Sequence, residues 1–557
     1  MTVRALRQST VAKDRNIYTS QIDRRRFLQK AALLAASSAF GGSLLDCGSQ
    51  LNIPCLGPAA APLPAPGMTY IRASEIGCAL DCKLETGRNK YTGGTATDDG
   101  PRINAAMAGA TADNPITLII DGSALISGLF LPAGGYWNIA GLGCGTGFFI
   151  KSGTNNDGIH NGPKAAIPPN PGPPAPARGM NVSLSNFTVN GNGGDGFDGD
   201  STSGSSLGNK VTDFFAVNLM NLNNINIENV VVVNSPCFNF RFSNVGNVTV
   251  SGCVMRSFGL GTDGLHFDGS TNDVTISNCN FMTGDDSIAL NCPEGYTGNI
   301  SRVAVSNCVF NSLSLMRLYT WNGYSASYID SVSVSNCTGT LSEAAFLIGL
   351  ANGSNPNSID ALTISDCNLT APAMLAIAEN FGTIVLNSVT FFPSQSNVVW
   401  VAPQANKICG FVRPSPLYGN ITSAGTSLIL NNCAIRRTTN IEVTAVILEN
   451  DSTITNLEFN GFELQDSGSY SAVSELLNIG SRSIDQLVLN SIDSGNIEAP
   501  VAAGQFSRVG SVSGTGVLAT EWEFPDAVMA NEVPYISAST GLPSIKINGV
   551  VEPYPQS

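Results

Sequence analysis

A repeating alternation of apolar and polar residues dominates the chain from residue 182 onward. Each unit has an apolar–polar–apolar strand, then Ser-Asn-Cys or a close variant, then a second apolar strand. Alternation with a period of two predicts short β-strands that each bury one face. The middle turn position is held in successive units by Asn186, Asn229, Gly252, Asn278, Asn307, Asn336, Asp366, Ser388, Asn432, Gly461 and Ser491. The recurrence predicts an all-β solenoid in which one repeat forms one turn of the coil.

The repeat length favours three short strands in each turn of the coil. Most intervals between the turn positions are 22 to 30 residues, but those starting at Asn186 and Ser388 are 43 and 44 residues. We expect each longer interval to hide a weak rung. Asn tolerates a left-handed turn, and stacked amides can hydrogen-bond from rung to rung. With the usual handedness of parallel crossovers, the pattern predicts a right-handed parallel β-helix.

Segments at both ends are predicted to close this coil. Residues 98–107 (DDGPRINAAM) predict a short helix with an Asp cap, an early Pro and an apolar face. Because an open solenoid needs its first rung covered, this helix is expected to cap a first unit at 76–150. The coil is predicted for 151–500 and irregular closing strands for 501–557. The Pro-rich stretch 153–178 leaves the coil, as one wall of a groove or as a disordered insertion.

The amino terminus resembles a bacterial twin-arginine export signal. Residues 23–28 (DRRRFL) precede an apolar run at 31–42 that is too short to span a bilayer. We expect residues 1–47 to be this signal and 48–75 to be a Pro/Ala-rich linker, so that the protein is periplasmic or extracellular. A basic tail with an apolar stub is the alternative. The sequence LLDC at 44–47 leaves a lipid anchor as a lesser option.

The charge balance limits the possible partners. The formal net charge is −14, and removing residues 1–47 leaves 20 basic and 39 acidic residues, a charge of about −19. Nucleic acids and anionic membranes both select basic surfaces, so neither is expected as a partner. A polyanionic substrate also fits this charge poorly. No segment of the expected mature chain is long and apolar enough to span a membrane.

Regularly spaced cysteines predict a buried column rather than a disulfide framework. Five of the 14 cysteines recur at 26 to 30 residues, each closing a strand: Cys253, Cys279, Cys308, Cys337 and Cys367. Small thiols at one position per turn can stack in the core. Cys78 and Cys82, and also Cys47 and Cys55, lie outside the repeat and are better disulfide candidates. Zinc is not expected, because the chain has two histidines and no paired Cys-x-x-Cys motif.

Two acidic turns carry the candidate chemistry. Residues 261–264 (GTDG) and 283–286 (TGDD) place Asp263 and Asp285 22 residues apart, one repeat length, with Asp286 next to the second. Adjacent rungs are about 4.8 Å apart, so these carboxylates should face one another. Such a cluster retains a proton, and glycoside hydrolysis needs one protonated and one ionised carboxyl. The alternative is that these residues are ordinary turn formers.

Strand alternation places three more polar side chains beside the acids. If the apolar residues of 265–267 and 316–318 point inward, His266, Arg317 and Tyr319 point outward as candidate substrate-binding residues. Strict alternation would turn Asp263 and Asp286 inward. Because a buried unpaired carboxylate is costly, we expect the Gly-containing turns to break the phase.

The stretch resembles glycoside hydrolase family 28, the polygalacturonases and their relatives, within the pectate-lyase-like group of right-handed parallel β-helices. The family pattern is Asn-Thr-Asp, Gly-Asp-Asp, Gly-His-Gly and then Arg-Ile-Lys. Residues 262–264 (TDG) and 284–286 (GDD) match it directly. The resemblance implies that Asp285 is the general acid and that Asp263 and Asp286 activate water, with inversion of configuration.

The sequence also departs from the family pattern. Gly261 replaces the first Asn, Gly-His-Gly is missing, and residues 316–321 (MRLYTW) put Tyr319 where the family has Lys, about one rung early. The resemblance implies that this Lys holds a uronate carboxylate. Its replacement makes a neutral or lightly charged glycan at least as plausible as polygalacturonate.

The sequence therefore predicts an exported, monomeric glycoside hydrolase that acts on a polysaccharide without a metal or other cofactor. Two alternatives stay open. A polysaccharide lyase would need Ca²⁺ or a basic residue, and Arg317 is a poor base because it rarely deprotonates. A non-catalytic glycan-binding or surface β-helix is favoured by the missing Gly-His-Gly motif.

Overall fold

A computed structural model describes residues 67–82, 96–151, 154, 156–161, 174–192, 215–257, 261–292, 294–320, 327–349, 358–377, 379–394, 410–414, 424–441, 443–448, 453–468, 473–480, 482–493, 496–501, 505–515, 522–531 and 533–554. The predicted export signal, Cys47, Cys55 and most of the predicted linker and Pro-rich segment lie outside these ranges. No helix in the described part of the chain is long and apolar enough to cross a bilayer.

The described chain is a right-handed parallel β-helix with three strands per turn, as the repeat predicts. We call the three faces of the coil front, side and back. The front strands are Leu129–Leu131, Ile159–Asn161, Leu265–Phe267, Asp286–Cys292, Ser314–Thr320, Ala344–Ile348, Ala373–Ile377, Gly410–Pro414, Val446–Ile447, Val473–Asn478 and Ile497–Val501. The side strands are Thr69–Arg72, Ile116–Ile120, Gly135–Gly141, Gly179–Ser185, Thr271–Ser277, Ile300–Ser306, Ile329–Ser335, Ser358–Ser365, Asn380–Asn387, Ala424–Asn431, Thr453–Asn460, Ser483–Asn490 and Val509–Thr515.

Two long strands, Val217–Glu228 and Phe240–Ser251, run continuously across the front and side faces. The back strands form a separate parallel sheet: Ser123–Ile126, Gly147–Ile150, Thr188–Asn190, Val231–Val233, Val254–Ser257, Asn280–Thr283, Val309–Ser312, Thr338–Leu341, Asn368–Ala371, Thr390–Pro393, Ala434–Arg437 and Glu463–Asp466. Consecutive rungs pair in parallel register, so residues at equivalent positions stack in columns along the coil.

The interior of the coil is filled by these stacked columns. Apolar side chains of all three faces form one continuous core, in which Phe242 lies 4.6 Å from Phe267 and Phe281 lies 5.0 Å from Phe310, ring centre to ring centre. The predicted cysteine column is present: Cys253, Cys279, Cys308, Cys337 and Cys367 are all buried thiols. Burial of uniform columns at each rung supplies the apolar contact that holds neighbouring turns together.

The turn between side and back strands has the conformation that its Asn-rich sequence predicts. All eleven predicted turn positions have φ between 51° and 74°, in the left-handed region. Amides also form a ladder there, since Asn229 Nδ2 donates to Asn186 Oδ1 at 3.2 Å. The turns are therefore fixed by backbone conformation together with rung-to-rung hydrogen bonds.

The expectation of hidden rungs in the two long intervals is wrong. Ser185 pairs directly with Glu228 and Thr188 with Val231, so residues 186 and 229 occupy adjacent rungs. The pairs Asn387–Asn431 and Thr390–Ala434 show the same for the second interval. The extra residues belong to connections between strands, because rung pairing depends on the strands and tolerates long loops.

The helix Gly100–Met107 covers the first rungs, as predicted. Ile103 and Met107 are buried against the core, but Asp99 does not cap the helix through its side chain. Its carboxylate instead accepts hydrogen bonds from the backbone N–H groups of Ala79 and Leu80 at 2.7 and 3.0 Å. The predicted linker also ends earlier than residue 75, because Thr69–Arg72 pairs with the next rung.

The carboxyl-terminal boundary and one disulfide expectation also change. Val509–Thr515 still pairs within the coil, so the coil extends past residue 500. A short 3₁₀ helix, Phe506–Arg508, precedes it, and a small sheet of Glu523–Phe524, Pro534–Ser537, Pro543–Ile547 and Val550–Pro553 follows. Cys78 is a buried thiol, so the expectation that it forms a disulfide is wrong, whereas Cys144 is disulfide-bonded.

Candidate active site

The two acidic turns lie on adjacent rungs at the start of front strands, as predicted. Leu265 pairs with Ile288, and the N–H of Gly264 donates to the carbonyl oxygen of Asp286 at 2.9 Å. This register brings carboxylate oxygens of Asp263, Asp285 and Asp286 within 4.8 Å of one another. We call these three residues the acid cluster.

The acid cluster lies outside the hydrophobic core because the strand alternation breaks at the turn. In the next rung, the consecutive residues Leu315 and Met316 both belong to the core. Ser314, which pairs with Asp286, therefore faces away from the interior and donates its hydroxyl to Asp286 Oδ1 at 2.6 Å. On this rung the change of phase occurs at a turn that contains no glycine, and the expected effect of the Gly-containing turns stays a prediction.

The three carboxylates have different neighbours. Arg317 Nε lies 2.7 Å from Asp286 Oδ2, and His266 Nδ1 lies 2.7 Å from Asp263 Oδ2. Asp285 accepts a hydrogen bond from the backbone N–H of Gly261 at 2.8 Å and has no cationic side chain against it among the described residues. Asp285 is also the most exposed of the three, at 8% against 4% and 2%. Two members of the cluster are thus balanced by cations, and the third faces outward without one.

Burial makes the acid cluster retain a proton. Desolvation, together with the negative charges of Asp285 and Asp286, raises the pKa of Asp263 to about 7, although the hydrogen bond to His266 opposes the rise. Neighbouring carboxyls that interact this strongly titrate as one unit. The cluster therefore holds a shared proton close to neutral pH, as the sequence predicts.

His266 connects the acid cluster to a second group of charged residues, Arg241, Asp268 and Glu294, which we call the second charged layer. Its Nε2 atom lies 3.1 Å from Asp268 Oδ1 and 3.3 Å from Glu294 Oε2, on the side of the ring opposite Asp263. Burial acts to lower the pKa of His266, but the charge of Glu294, the hydrogen bond with Asp263 and the close approach of Asp268 and Glu294 to Nε2 raise it well above its usual value. Arg241, from the preceding rung, forms a buried ion pair with Asp268.

An aromatic stack covers the imidazole ring. The ring of Phe238 lies 3.9 Å from that of His266 with an angle of 8° between the planes. Phe215 stacks on the other face of Phe238 at 5.1 Å, and the guanidinium carbon of Arg241 is 5.5 Å from the Phe215 ring centre. Because of this cover, His266 is only 2% exposed.

The structure places two of the three predicted substrate-binding residues next to the acid cluster, and it places Tyr319 toward the other end of the front strand Ser314–Thr320. His266 and Arg317 are paired with carboxylates of the cluster. Tyr319, 5% exposed, pairs across the sheet with Asn291. A direct role of the three in sugar binding stays a prediction.

Sequence reasoning missed Arg241, Glu294 and Phe238. A signal existed for Arg241, because a charged residue between Phe240 and Phe242 in an otherwise apolar strand requires a buried partner. Glu294 follows a front strand in an irregular turn, and Phe238 lies 28 residues before His266. Only the register of the folded coil shows that these two meet the imidazole.

Part of the Pro-rich segment forms a wall beside this layer. Pro174 pairs with Thr297, and Arg178 donates to the amide oxygens of Asn244 and Asn272 at 3.0 and 2.7 Å. Arg178 also contacts the carbonyl oxygen of Ser270. The described residues 174–178 therefore lie against three consecutive rungs, close to the turn that follows Asp268.

Among the residues that the structure describes, two groups of side chains have ligand-type atoms close enough to hold a cation. They are the acid cluster and the set of His266, Asp268 and Glu294. Each group already faces a cationic side chain, Arg317 in the first and Arg241 in the second. Because the protein supplies the balancing positive charge, we assign no metal to either group.

Comparison with known proteins agrees with the motif resemblance. Residues 179–371 match the family described as "Glycosyl hydrolases family 28". We refer to these residues, which resemble that family, as the family 28 region. An endo-polygalacturonase of Sclerotinia sclerotiorum is 29% identical over 259 residues, which are 45% of this chain and 60% of that protein. The chain thus spans about 60% of the length of this relative, and the acid cluster lies inside the family 28 region.

Solved structures share the β-helix. A tailspike protein double mutant of E. coli bacteriophage HK620 superposes with a TM-score of 0.50 at 10% identity, covering 80% of each chain. A family 28 exopolygalacturonase of Yersinia enterocolitica superposes with a TM-score of 0.47 at 13% identity, covering 73% of this chain and 77% of that one. At such low identity the tailspike similarity shows the fold alone.

Proposed function

We propose that this protein is a glycoside hydrolase that cleaves a polysaccharide at the acid cluster. The observation that carries the proposal is the convergence of Asp263, Asp285 and Asp286 inside the family 28 region, with carboxylate oxygens within 4.8 Å. One retained proton and two cation-balanced carboxylates supply the acid and the base that glycosidic cleavage needs.

Asp285 is the proton donor in this proposal. Asp263 and Asp286 each face a cation, which favours their ionised forms, whereas Asp285 has a single backbone hydrogen bond from Gly261. Asp285, the most exposed of the three, is therefore the member best placed to deliver the proton that the cluster retains. The proton passes to the glycosidic oxygen as the bond between that oxygen and the anomeric carbon breaks.

Asp263 and Asp286 act together on water. Both carboxylates lie within 4.8 Å of Asp285, so one water between them can attack the anomeric carbon as the leaving oxygen departs. The proton lost by the water passes to one of these two carboxylates, and the reaction therefore conserves charge and protons. This role follows the family resemblance and implies inversion of configuration.

The substrate proposed here is a neutral or lightly charged glycan. In the described site, every cationic group is already paired with a carboxylate: Arg317 with Asp286, Arg241 with Asp268 and His266 with Asp263. A uronate would add a negative charge beside five acids, and the chain as a whole carries −14. Neutral sugars avoid this repulsion, and their hydroxyl groups can still bind carboxylates through hydrogen bonds.

Export and a monomeric state complete the proposal. The Arg pair and apolar run at 24–42 support transport across the inner membrane, where a polysaccharide substrate is accessible. Coverage of the coil by a helix at one end and a four-stranded sheet at the other protects its terminal rungs, which supports a monomer.

The substrate proposal is tested by measuring the release of reducing ends from pectic, neutral plant and microbial polysaccharides. We expect activity on a neutral glycan that exceeds activity on polygalacturonate. Higher activity on polygalacturonate would contradict the argument from site charge. Ultraviolet-absorbing unsaturated products would instead indicate a lyase, and binding without cleavage on the whole panel would indicate a glycan-binding module.

The stereochemical outcome is a separate prediction. Carboxyls as close as those of the acid cluster are typical of retaining enzymes, which place the two groups about 5–5.5 Å apart, whereas inverting pairs are about 6.5–9.5 Å apart. We nevertheless expect inversion, because two ionised carboxylates flank the donor and can hold a water instead of attacking the sugar. Proton NMR of the first product, recorded before mutarotation, should show the inverted anomer. A retained anomer would make one of these carboxylates the nucleophile.

A further inference from the structure

We propose that His266 is a positioning residue, a buried imidazolium that holds Asp263 ionised and oriented as a base, and that Asp268 and Glu294 stabilise this charge. The inference rests on the proposed function of the acid cluster. It replaces sugar binding as the role of His266 and adds a function for the second charged layer.

The first argument is the arrangement around the ring. Carboxylate oxygens lie on both sides of it, at 2.7 Å from Nδ1 and at 3.1 and 3.3 Å from Nε2. A neutral imidazole has one N–H and one acceptor nitrogen, so one of its edges would face a carboxylate lone pair to lone pair. The imidazolium carries a proton on both nitrogens, so both edges present positive charge to the carboxylates and the conflict is removed.

The second argument is that the ring cannot turn toward a substrate. Phe238 covers one face at 3.9 Å and is nearly parallel to it, which fixes the plane that contains both nitrogens. Rotation of the imidazole ring out of this plane would break its contacts with three carboxylates at once. With 2% of its surface exposed, His266 acts on the reaction through Asp263 and not by touching sugar.

The third argument is the charge balance around the ring. Asp263 precedes His266 on its own turn, Asp268 ends the same segment, and Glu294 reaches it from the next rung. Arg241 from the preceding rung neutralises Asp268. Glu294 and the ionised Asp263 then carry two negative charges against the single positive charge of the imidazolium, which favours the charged ring. The field of the imidazolium lowers the pKa of Glu294 to about 2, although burial acts in the opposite direction.

Other charged groups near the ring do not replace this balance. Asp285 and Asp286 lie beyond Asp263 and raise its pKa, and Arg317 is paired with Asp286. Cys237 is a buried thiol next to Phe238, and burial raises its pKa well above the usual value, so it stays neutral. His266 is therefore the cation in contact with Asp263 among the described residues.

The sign of the pH effect follows from these contacts. Removing the imidazolium takes away the hydrogen bond and the charge that lower the pKa of Asp263, so this pKa rises further above about 7. The base is then protonated at neutral pH. In His266→Gln, the acidic limb of the profile of kcat against pH should move upward by about 1–3 pH units, with KM little changed.

A double-mutant cycle tests whether Glu294 acts through His266. Glu294→Gln should shift the acidic limb in the same direction but by less, because its side chain is 34% exposed and its charge is partly screened. In the His266→Gln background, the same substitution should have no further effect. Asp273→Asn is the matched control, since Asp273 pairs with Arg302 on the side face, away from the site.

A second measurement does not depend on turnover. The chain has two histidines, so ring carbon and nitrogen NMR signals of His266 can be assigned with a His160→Gln variant. We expect His266 to be protonated on both nitrogens at pH 7.5. The substitution Glu294→Gln should lower the pKa of His266, because it removes a negative charge beside Nε2. A neutral ring at pH 7.5 would overturn the proposal even if the wild-type protein cleaves no glycan.

The kinetic outcomes separate this proposal from its alternatives. A higher KM with an unchanged pH profile in His266→Gln would assign sugar binding to His266. A loss of kcat that is equal at every pH would assign a structural role only. A wild-type protein that is inactive on all glycans would contradict the proposed hydrolase, and the NMR titration would still decide the charge state of His266.

Discussion

Asp285→Asn is expected to reduce polysaccharide hydrolysis by about 10³-fold while leaving the fold intact, because it removes the proton donor to the glycosidic oxygen. The amide keeps the size of the carboxyl group and its acceptor for the Gly261 N–H. It also removes a carboxyl that would repel Asp263 and Asp286 whenever it ionises, since the three lie within 4.8 Å of one another. The thermal midpoint should therefore be unchanged or higher than that of the wild-type protein.

The measurement is the initial rate of reducing-end release together with thermal unfolding followed by circular dichroism. Asp273→Asn is the control for a carboxylate-to-amide change outside the site, and we expect wild-type rates from it. Wild-type turnover in Asp285→Asn would exclude this residue as the acid. A loss of activity accompanied by a large fall in the thermal midpoint would mean that Asp285 has a structural role.

Arg317→Met is expected to lower the free energy of unfolding by about 3–5 kcal/mol, because it leaves a buried carboxylate without its cation. Arg317 Nε lies 2.7 Å from Asp286 Oδ2, and the two residues are 6% and 2% exposed. Methionine retains most of the length of the arginine side chain, so packing within the front sheet changes little. Activity should fall as well, since an uncompensated Asp286 takes up a proton and no longer activates water.

A second substitution distinguishes the loss of the ion pair from the loss of packing. Adding Asp286→Asn to Arg317→Met removes the unpaired charge and should recover most of the stability, but not the activity. Chemical denaturation of the two single variants and the double variant measures the coupling. If the double variant is as unstable as Arg317→Met, the cost comes from packing and not from charge.

The periodic part of the fold could be predicted because each rung repeats the same physical constraint. Asn229 and its equivalents in the repeat indicate left-handed turns, and the structure has φ between 51° and 74° at these positions. The acid cluster was predictable for the same reason, since one repeat length separates Asp263 from Asp285. A fixed spacing in sequence becomes a fixed distance between rungs.

The surroundings of the cluster could not be predicted because they depend on contacts across rungs and loops. Strand alternation correctly predicted that the His266 side chain points away from the core, but it gave no sign that Phe238 covers the ring. Arg317 was expected to be open to substrate, and instead the register of Ser314–Thr320 places it against Asp286. The two long intervals were interpreted as hidden rungs because loop length and repeat length cannot be separated in a sequence alone.

The uninterrupted register across those two intervals has a consequence for engineering. Strand pairing resumes at the adjacent rung whether the connection is short or carries about twenty extra residues, so the coil and its connections vary independently. We expect connections of this kind to be exchangeable between related β-helices, with the strand ends that flank them, such as Asn190 and Val217, as grafting points. Such chimaeras would test whether the catalytic geometry, set by the rungs, is inherited independently of the connections.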